Sequence, residues 1–375
     1  MRKTPAILAA ALTLALHSNL YAKGTGYLFV SSEKDNAISV LDGSSYELVK
    51  QIGTAARPRH LQFSPDHSLI YAACGDGDAI DIIDVAKLEL VDRIIGIDDP
   101  ELFDISADGK TMYISLEDDA KLGILDLDAY FAAREEKPEL TIAEPSDDDD
   151  FADDDDDDDD DDDEDDDHDD DDGDDDEDSV AGLSTIEVGA EPEGILAHPN
   201  GKTVYVTSEV ANLVHVVDLD SHAIAKNVVV GNRPRRFALT PDGQELWVTN
   251  ELSGSVSVLD ASTYDILATL EFLPKGFRPE EVTPVGITMT ADGKTAIIGL
   301  GRANHIVFVD VASRAIEDYV LVGNRAWNTT LSRDEQHLYV VNGLSDDISV
   351  IDMARRAVIK SIPVGRVPHT VLLDD

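Results

Sequence analysis

Seven times along the chain a Gly-x-x-Pro-like bend is followed by a residue, and those seven residues make an unusual set. In order of a closing ring they read His369, Arg59, Glu101, Glu193, Arg235, Val285 and Trp327. The next position adds His60 and Arg236 among small or apolar residues. Arginine supplies planar bidentate donors for carboxylates, and tryptophan a face on which a cation or ring can stack. Arg59, His60, Glu101, Glu193, Arg235, Arg236, Trp327 and His369 are therefore the candidate surface for an anionic or aromatic-bearing ligand or partner. The competing reading makes them inter-blade salt bridges that only hold neighbouring sheets in register. His60 and His369 with Glu101 offer a conceivable metal set. Two nearby loop classes carry more charge: Glu33, Glu117, Glu209 and Glu251 in one, and Arg57, Arg233, Arg325 and Arg366 in the other. Gly-x-Ser-x-Gly, His-Glu-x-x-His and a Gly-rich phosphate loop are all missing, so no catalytic residue is assigned.

The elements that would position these side chains follow from a repeat. A short β pattern ending in aspartate recurs at Asp42, Asp84, Asp126, Asp218, Asp260, Asp310 and Asp352, with intervals of 42, 42, 92, 42, 50 and 42 residues. Each period holds an opening strand, a Pro-Asp-Gly-type turn, a β-rich strand such as Glu245–Thr249, a polar loop, the strand ending in Asp, and a closing strand. Four antiparallel strands in about 42 residues make one propeller blade. The first repeat starts at Gly26 without its opening strand, and Gly365–Leu373 supplies it. The expectation is an all-β, seven-bladed β-propeller of four-stranded antiparallel blades, closed by the C-terminal strand joining the N-terminal blade. Closure of this kind leaves no free edge between first and last blades.

The 92-residue interval contains Asp147–Asp178, in which 28 of 32 residues are acidic. Leu183–Gly189 aligns with Lys360–Gly365, which puts the insert between the third and fourth strands of the third blade; taking Glu139–Ile142 as the fourth strand instead would move it to the next connection. Residues 143–182 are expected to be a disordered Asp-rich insert, since like charges repel and no core is available. Weak Ca2+ binding there is the alternative use, though no EF-hand spacing fixes a geometry. The expected organisation is thus a signal peptide over 1–22 and a single propeller over 23–375. Met1-Arg2-Lys3 followed by the apolar Ile7–Leu16 has the layout of an export signal, and implies a periplasmic protein without a membrane span after its removal.

Composition excludes several classes. The formal net charge is −49, and acidic residues outnumber basic ones even outside the Asp-rich tract. Binding to nucleic acid is excluded for want of a basic stripe. Cys74 is the only cysteine, so no internal disulfide and no covalent haem are expected. Nothing calls for more than a monomer.

Leu338-Tyr339-Val340-Val341-Asn342 and Asp347–Asp352 resemble the YVTN-type propeller repeat. The runs Pro100–Phe103, Glu191–Gly194, Arg278–Ile287 and Gly299–Asn304 further resemble the exported β-propeller proteins associated with PQQ-dependent (pyrroloquinoline-quinone-dependent) catabolism. That resemblance implies a non-catalytic periplasmic accessory protein for alcohol oxidation, working beside a quinoprotein alcohol dehydrogenase or its cytochrome c. It implies no bound quinone: quinoprotein dehydrogenases have eight blades with tryptophan-docking repeats, and this chain has two tryptophans. Two alternatives stand beside it, a propeller lactonase-type hydrolase and a cation-binding surface protein acting through the Asp-rich tract.

Overall fold

The computed structural model describes residues 24–136 and 180–375. They form seven four-stranded antiparallel sheets arranged as propeller blades, with one α-helix. Blade 1 is built from both ends of the chain: Pro368–Leu373 pairs with Tyr27–Ser32, in register Leu28↔Leu373 and Val30↔Val371. Asp374 locks this closure, accepting hydrogen bonds from the Thr25 amide at 2.6 Å and the Thr25 hydroxyl at 2.8 Å.

The strand sequences follow from this packing. The second and third strands of each blade are sandwiched between neighbouring sheets and are almost wholly buried; some read as nearly continuous apolar runs, as in Leu69–Cys74. Trp247 is fully buried between blades 5 and 6, among Val256, Val258, Ile287 and Ile298. The fourth strands form the outer rim and leave residues such as Leu48, Val229 and Leu321 exposed.

The periodic aspartates are turn-makers. Each ends a third strand, and its carboxylate accepts backbone N–H groups of the following turn. Asp42 takes those of Ser44 and Ser45, Asp260 those of Ser262 and Thr263, and Asp352 that of Arg355. In blade 3 the same acceptor is used differently. Asp126 Oδ1 takes the Ala129 amide at 2.9 Å and starts the helix Leu127–Glu136. That helix was not anticipated from the sequence. It packs Tyr130 and Phe131 beside the blade 2–3 core, and Arg134 pairs with Asp92 at 2.9 Å. The fourth strand of blade 3 is Leu183–Glu187, paired with Lys121–Leu125. The expected export signal, the Asp-rich tract and the weak Ca2+ binding considered for it lie outside the described residues. Among the described residues no helix is long and apolar enough to cross a membrane.

Two backbone devices aim side chains at the central channel. Every innermost strand shows a register shift across the two residues after its Pro-like position: Arg59–His60, Glu101–Leu102, Glu193–Gly194, Arg235–Arg236, Val285–Gly286, Trp327–Asn328 and His369–Thr370. Bulges of this kind re-aim side chains out of the alternating pattern. The residue before the Pro-like position is left-handed in six blades, at Arg57, Asp99, Glu191, Arg233, Arg325 and Val367. In several blades an Asn or Asp from the preceding blade catches its amide: Asn36 for Arg57, Asp78 for Asp99, Asn212 for Arg233 and Asn304 for Arg325. This otherwise unfavourable conformation is thereby fixed at the channel mouth.

Candidate functional site

The mouth is a ring of buried charge. Arg59, Glu101, Glu193, Arg235, Arg236, Trp327 and His369 are all buried, and His60 is half-buried. Much of what was read as a binding surface is therefore occupied in holding itself together. Glu193 has no exposed surface and lies between Arg236 and Arg235, the latter at 3.1 Å. Burial works against its charge, but Arg236, Arg235 and Arg59 outweigh burial and hold its carboxyl well below the usual range. Arg235 also reaches Glu209 at 2.7 Å and Glu251 at 2.6 Å, while Arg233 contacts Glu209 at 2.6 Å. On the other side Arg59 is ion-paired with Glu101, and Arg57 Nη2 lies 3.2 Å from the same carboxylate. Arg366 does not join the mouth: it pairs with Asp35 at 2.7 Å on the exposed outer loop, and Val367 occupies the pre-proline position.

A rule runs through the loop glutamates. Glu33 of blade 1 faces Arg57 and Arg59 of blade 2, both at 3.8 Å, and Glu209 of blade 4 faces Arg233 and Arg235 of blade 5. Glu117 is the equivalent residue of blade 3, but the matching positions of blade 4 are Glu191 and Glu193. Among the described residues no cation stands within ion-pair distance of Glu117. Burial first, and then the charges of Glu101 and Glu193, push its carboxyl up to about 9. Asp99, which takes the place that Arg57 and Arg233 hold in their blades, is pushed up to about 6 by burial and by Glu101, against the pull of Arg57. Acidic oxygens of Asp99, Glu101 and Glu117 lie within 4.8 Å of one another. Gly75 leaves room beside them, because a Cβ there would sit 2.6 Å from Asp99 Oδ1.

This cluster can do acid–base chemistry. Two neighbouring carboxyls with separated pKa values give a proton donor and a proton acceptor at the same pH. Arg57, partly exposed and 3.6 Å from Asp99, adds a fixed positive charge. The same three oxygens are, among the described residues, the set spaced to share a metal ion. His60 and His369 do not join Glu101 in such a set. Burial and Arg236 push His60 down to about 3, and burial with Arg59 and Arg236 holds His369 well below its ordinary value, so both imidazoles are neutral. Sequence reasoning noted Glu117 as one of four loop glutamates but missed Asp99. The available signal was the replacement of arginine by acid before Pro100 and Pro192.

A second constellation imitates a catalytic relay without being one. Ser208 Oγ lies 2.8 Å from His215 Nε2, and His215 Nδ1 lies 2.7 Å from Asn227. However, His215 Nε2 also accepts the Gly189 amide at 3.0 Å, and Ser208 is fully buried. In blade 5 the same places are held by Asn250, which accepts the Gly231 amide and donates to Ser257. The trio is a blade-to-blade staple.

The seven-bladed β-propeller lactonase family model matches residues 221–358. No curated protein is significantly similar to the chain in sequence. Solved structures with this fold include the Pseudomonas aeruginosa periplasmic gluconolactonase PpgL, with 18% identity, 93% of this chain and 99% of that one covered, and a TM-score of 0.68. The Kuenenia stuttgartiensis hydrazine synthase aligns at 16% identity over 88% of this chain and 93% of that one, with a TM-score of 0.68. The dihydro-heme d1 dehydrogenase NirN aligns at 16% identity over 92% and 75%, with a TM-score of 0.62. These findings correct one expectation. The accessory role in quinone-dependent alcohol oxidation is overturned, because the family model that matches is a lactonase propeller. The propeller itself stands.

Proposed function

We propose that the protein is a lactone hydrolase working at the blade 2–4 side of the channel mouth. The observation that carries this reading is Glu117, a loop glutamate whose expected arginine partner is replaced by Glu193, so that it keeps its proton beside the more acidic Asp99. The lactonase match over 221–358 supports it. In this reading ionised Asp99 takes the proton from a water as the water oxygen attacks the lactone carbonyl carbon. Arg57 stabilises the negative charge that develops on the carbonyl oxygen. As the tetrahedral intermediate collapses, the bond from the acyl carbon to the ring oxygen breaks, and Glu117 protonates that oxygen. The opened chain carries one hydroxyl group and one carboxylic acid, which releases its proton to solvent as the carboxylate, and the proton taken by Asp99 returns to Glu117 to restore both groups. Together with the export-like pattern of residues 1–22, the proposal has this reaction occur in the periplasm.

The test is hydrolysis of five- and six-membered aldonolactones by purified protein at pH 6.5, followed by acid release. Catalysis above the uncatalysed rate is expected, with kcat/KM falling about 10² to 10⁴-fold in Glu117→Gln. A wild-type rate equal to the blank across the panel would remove the proposal.

A further inference from the structure

The channel wall from blades 5, 7 and 1 holds polar atoms that the protein leaves unmatched. Arg236 Nη2, Trp327 Nε1 and His369 Nε2 are buried and make no hydrogen bond. Their residues are at least nine-tenths buried, at 7%, 8% and 1% exposure. All three project from the bulged segments that face the channel. Trp327 and His369 have ring centroids 6.1 Å apart, and His369 feels the charge of Arg236.

The chemistry of these atoms is one-sided. Guanidinium and indole N–H groups donate and cannot accept. The Thr370 hydroxyl lies 3.0 Å from His369 Nδ1 and is approached by the Asn328 amide at 3.5 Å. With Asn328 donating to Thr370 and Thr370 donating to Nδ1, the His369 proton sits on Nε2, which makes the third atom a donor too. Glu193 does not satisfy them: its Oε1 accepts from Arg236 Nη1, and its Oε2, ion-paired with Arg235 Nη1 at 3.1 Å, makes no hydrogen bond to any of the three. Leaving buried donors unmatched is costly, so the wall is matched by an acceptor with several lone pairs. A cation is repelled by Arg235 and Arg236, and an apolar group leaves the donors unmatched.

We propose that this wall binds a carboxylate, specifically that of an open-chain polyhydroxy acid, through Arg236, Trp327 and His369. Arg236 supplies the charged contact, and the two ring N–H groups complete the set. The identification of the acid rests on the lactone-hydrolase reading, in which the carboxylate is the new functional group of the product. It goes beyond that reading by predicting tight product retention and competitive inhibition by the acid.

The experiment is calorimetric titration of the purified protein at pH 7.5 with sodium gluconate, with sorbitol as the uncharged polyol and with inorganic phosphate. The expected result is saturable 1:1 binding of gluconate, with sorbitol and phosphate each at least tenfold weaker. Trp327→Phe, which removes one donor and keeps the ring, should weaken gluconate by about tenfold, the scale of one hydrogen bond to a charged group. Arg236→Lys keeps a cation for Glu193 and should also weaken it by at least that factor. Gluconate binding no better than sorbitol or phosphate, or unchanged in both folded variants, would overturn the inference. The two proposals fail separately: hydrolysis without gluconate binding sinks only the carboxylate wall, and gluconate binding without hydrolysis sinks only the lactonase reading.

Discussion

The mouth over blades 4 and 5 and the mouth over blades 2 and 3 use the same backbone, the same bulges and the same loop glutamate, and they come out chemically opposite. Over blades 4 and 5, Glu193, Glu209 and Glu251 share Arg233, Arg235 and Arg236 in a network with almost every oxygen paired. Over blades 2 and 3, acidic residues meet acidic residues. Asp99 stands where an arginine stands in blades 2, 5 and 7, and Glu117 looks across at Glu193. Within one scaffold, then, exchanges of arginine for acid turn a structural ion network into one carboxyl that keeps its proton at neutral pH beside another that is mostly ionised. The general lesson is that a buried charge is informative when its expected partner is missing.

This contrast can be broken most forcefully from the paired side. Arg235→Met removes the hub of three carboxylates and leaves buried charge uncompensated, which should cost about 3–5 kcal/mol in denaturant unfolding at pH 7. A change below about 1 kcal/mol would mean that the network is not structural. On the other side the larger effect is expected in activity. Arg57→Gln should lower kcat about 10- to 10³-fold by removing the charge at the oxyanion, with less effect on KM. If KM rises and kcat is unchanged, Arg57 serves binding instead.

The two sides should also titrate in opposite senses. Glu117 has its folded pKa raised, so the folded chain binds more protons than the unfolded one between the ordinary glutamate value and about 9. Its contribution to stability is present at low pH and is lost as pH rises through that window. Glu117→Gln should therefore raise Tm at pH 8–9 and leave it nearly unchanged near pH 4. Glu193 has its folded pKa depressed, so its stabilisation is present above the ordinary glutamate value and disappears on acidification. Thermal melts across pH of wild type and Glu117→Gln check the first sign; a variant that is less stable at pH 9 contradicts it. The smallest effect expected is that of chelation. Arg57 already lies 3.2 Å from Glu101 and 3.6 Å from Asp99, supplying the positive charge that a cation would bring. Hydrolysis should then be unchanged by EDTA, and a loss restored by Ca2+ or another divalent ion would assign the carboxyl trio to a metal.

The ring architecture was legible because its period is written by residues with a backbone duty. Asp42 and Asp260 recur at fixed places since each accepts the amides of a turn, and turns do not tolerate drift. The mouth residues were legible for the same reason, through their constant position after the bend. Their condition was not. Nothing local to Arg235 says that it reaches glutamates on two other loops, and nothing local to Glu117 says that Glu193 faces it from the next blade. Those facts depend on which blade is whose neighbour and on the bulges that rotate side chains inward. Burial then converted an apparent binding surface into largely internal pairing, leaving Arg236 Nη2, Trp327 Nε1 and His369 Nε2 among the atoms without a hydrogen-bond partner. The helix Leu127–Glu136 was hidden because its starting aspartate is also the repeat's turn aspartate.

The most direct test of the central claim is the pH dependence of kcat/KM for lactone hydrolysis by the wild-type protein. The account predicts a bell with an acidic limb near pH 6, from Asp99 losing its proton, and an alkaline limb near pH 9, from Glu117 losing its own. The alkaline limb should be absent from the residual activity of Glu117→Gln. A profile with no alkaline limb, or one that Glu117→Gln leaves unchanged, would contradict the assignment of the proton donor.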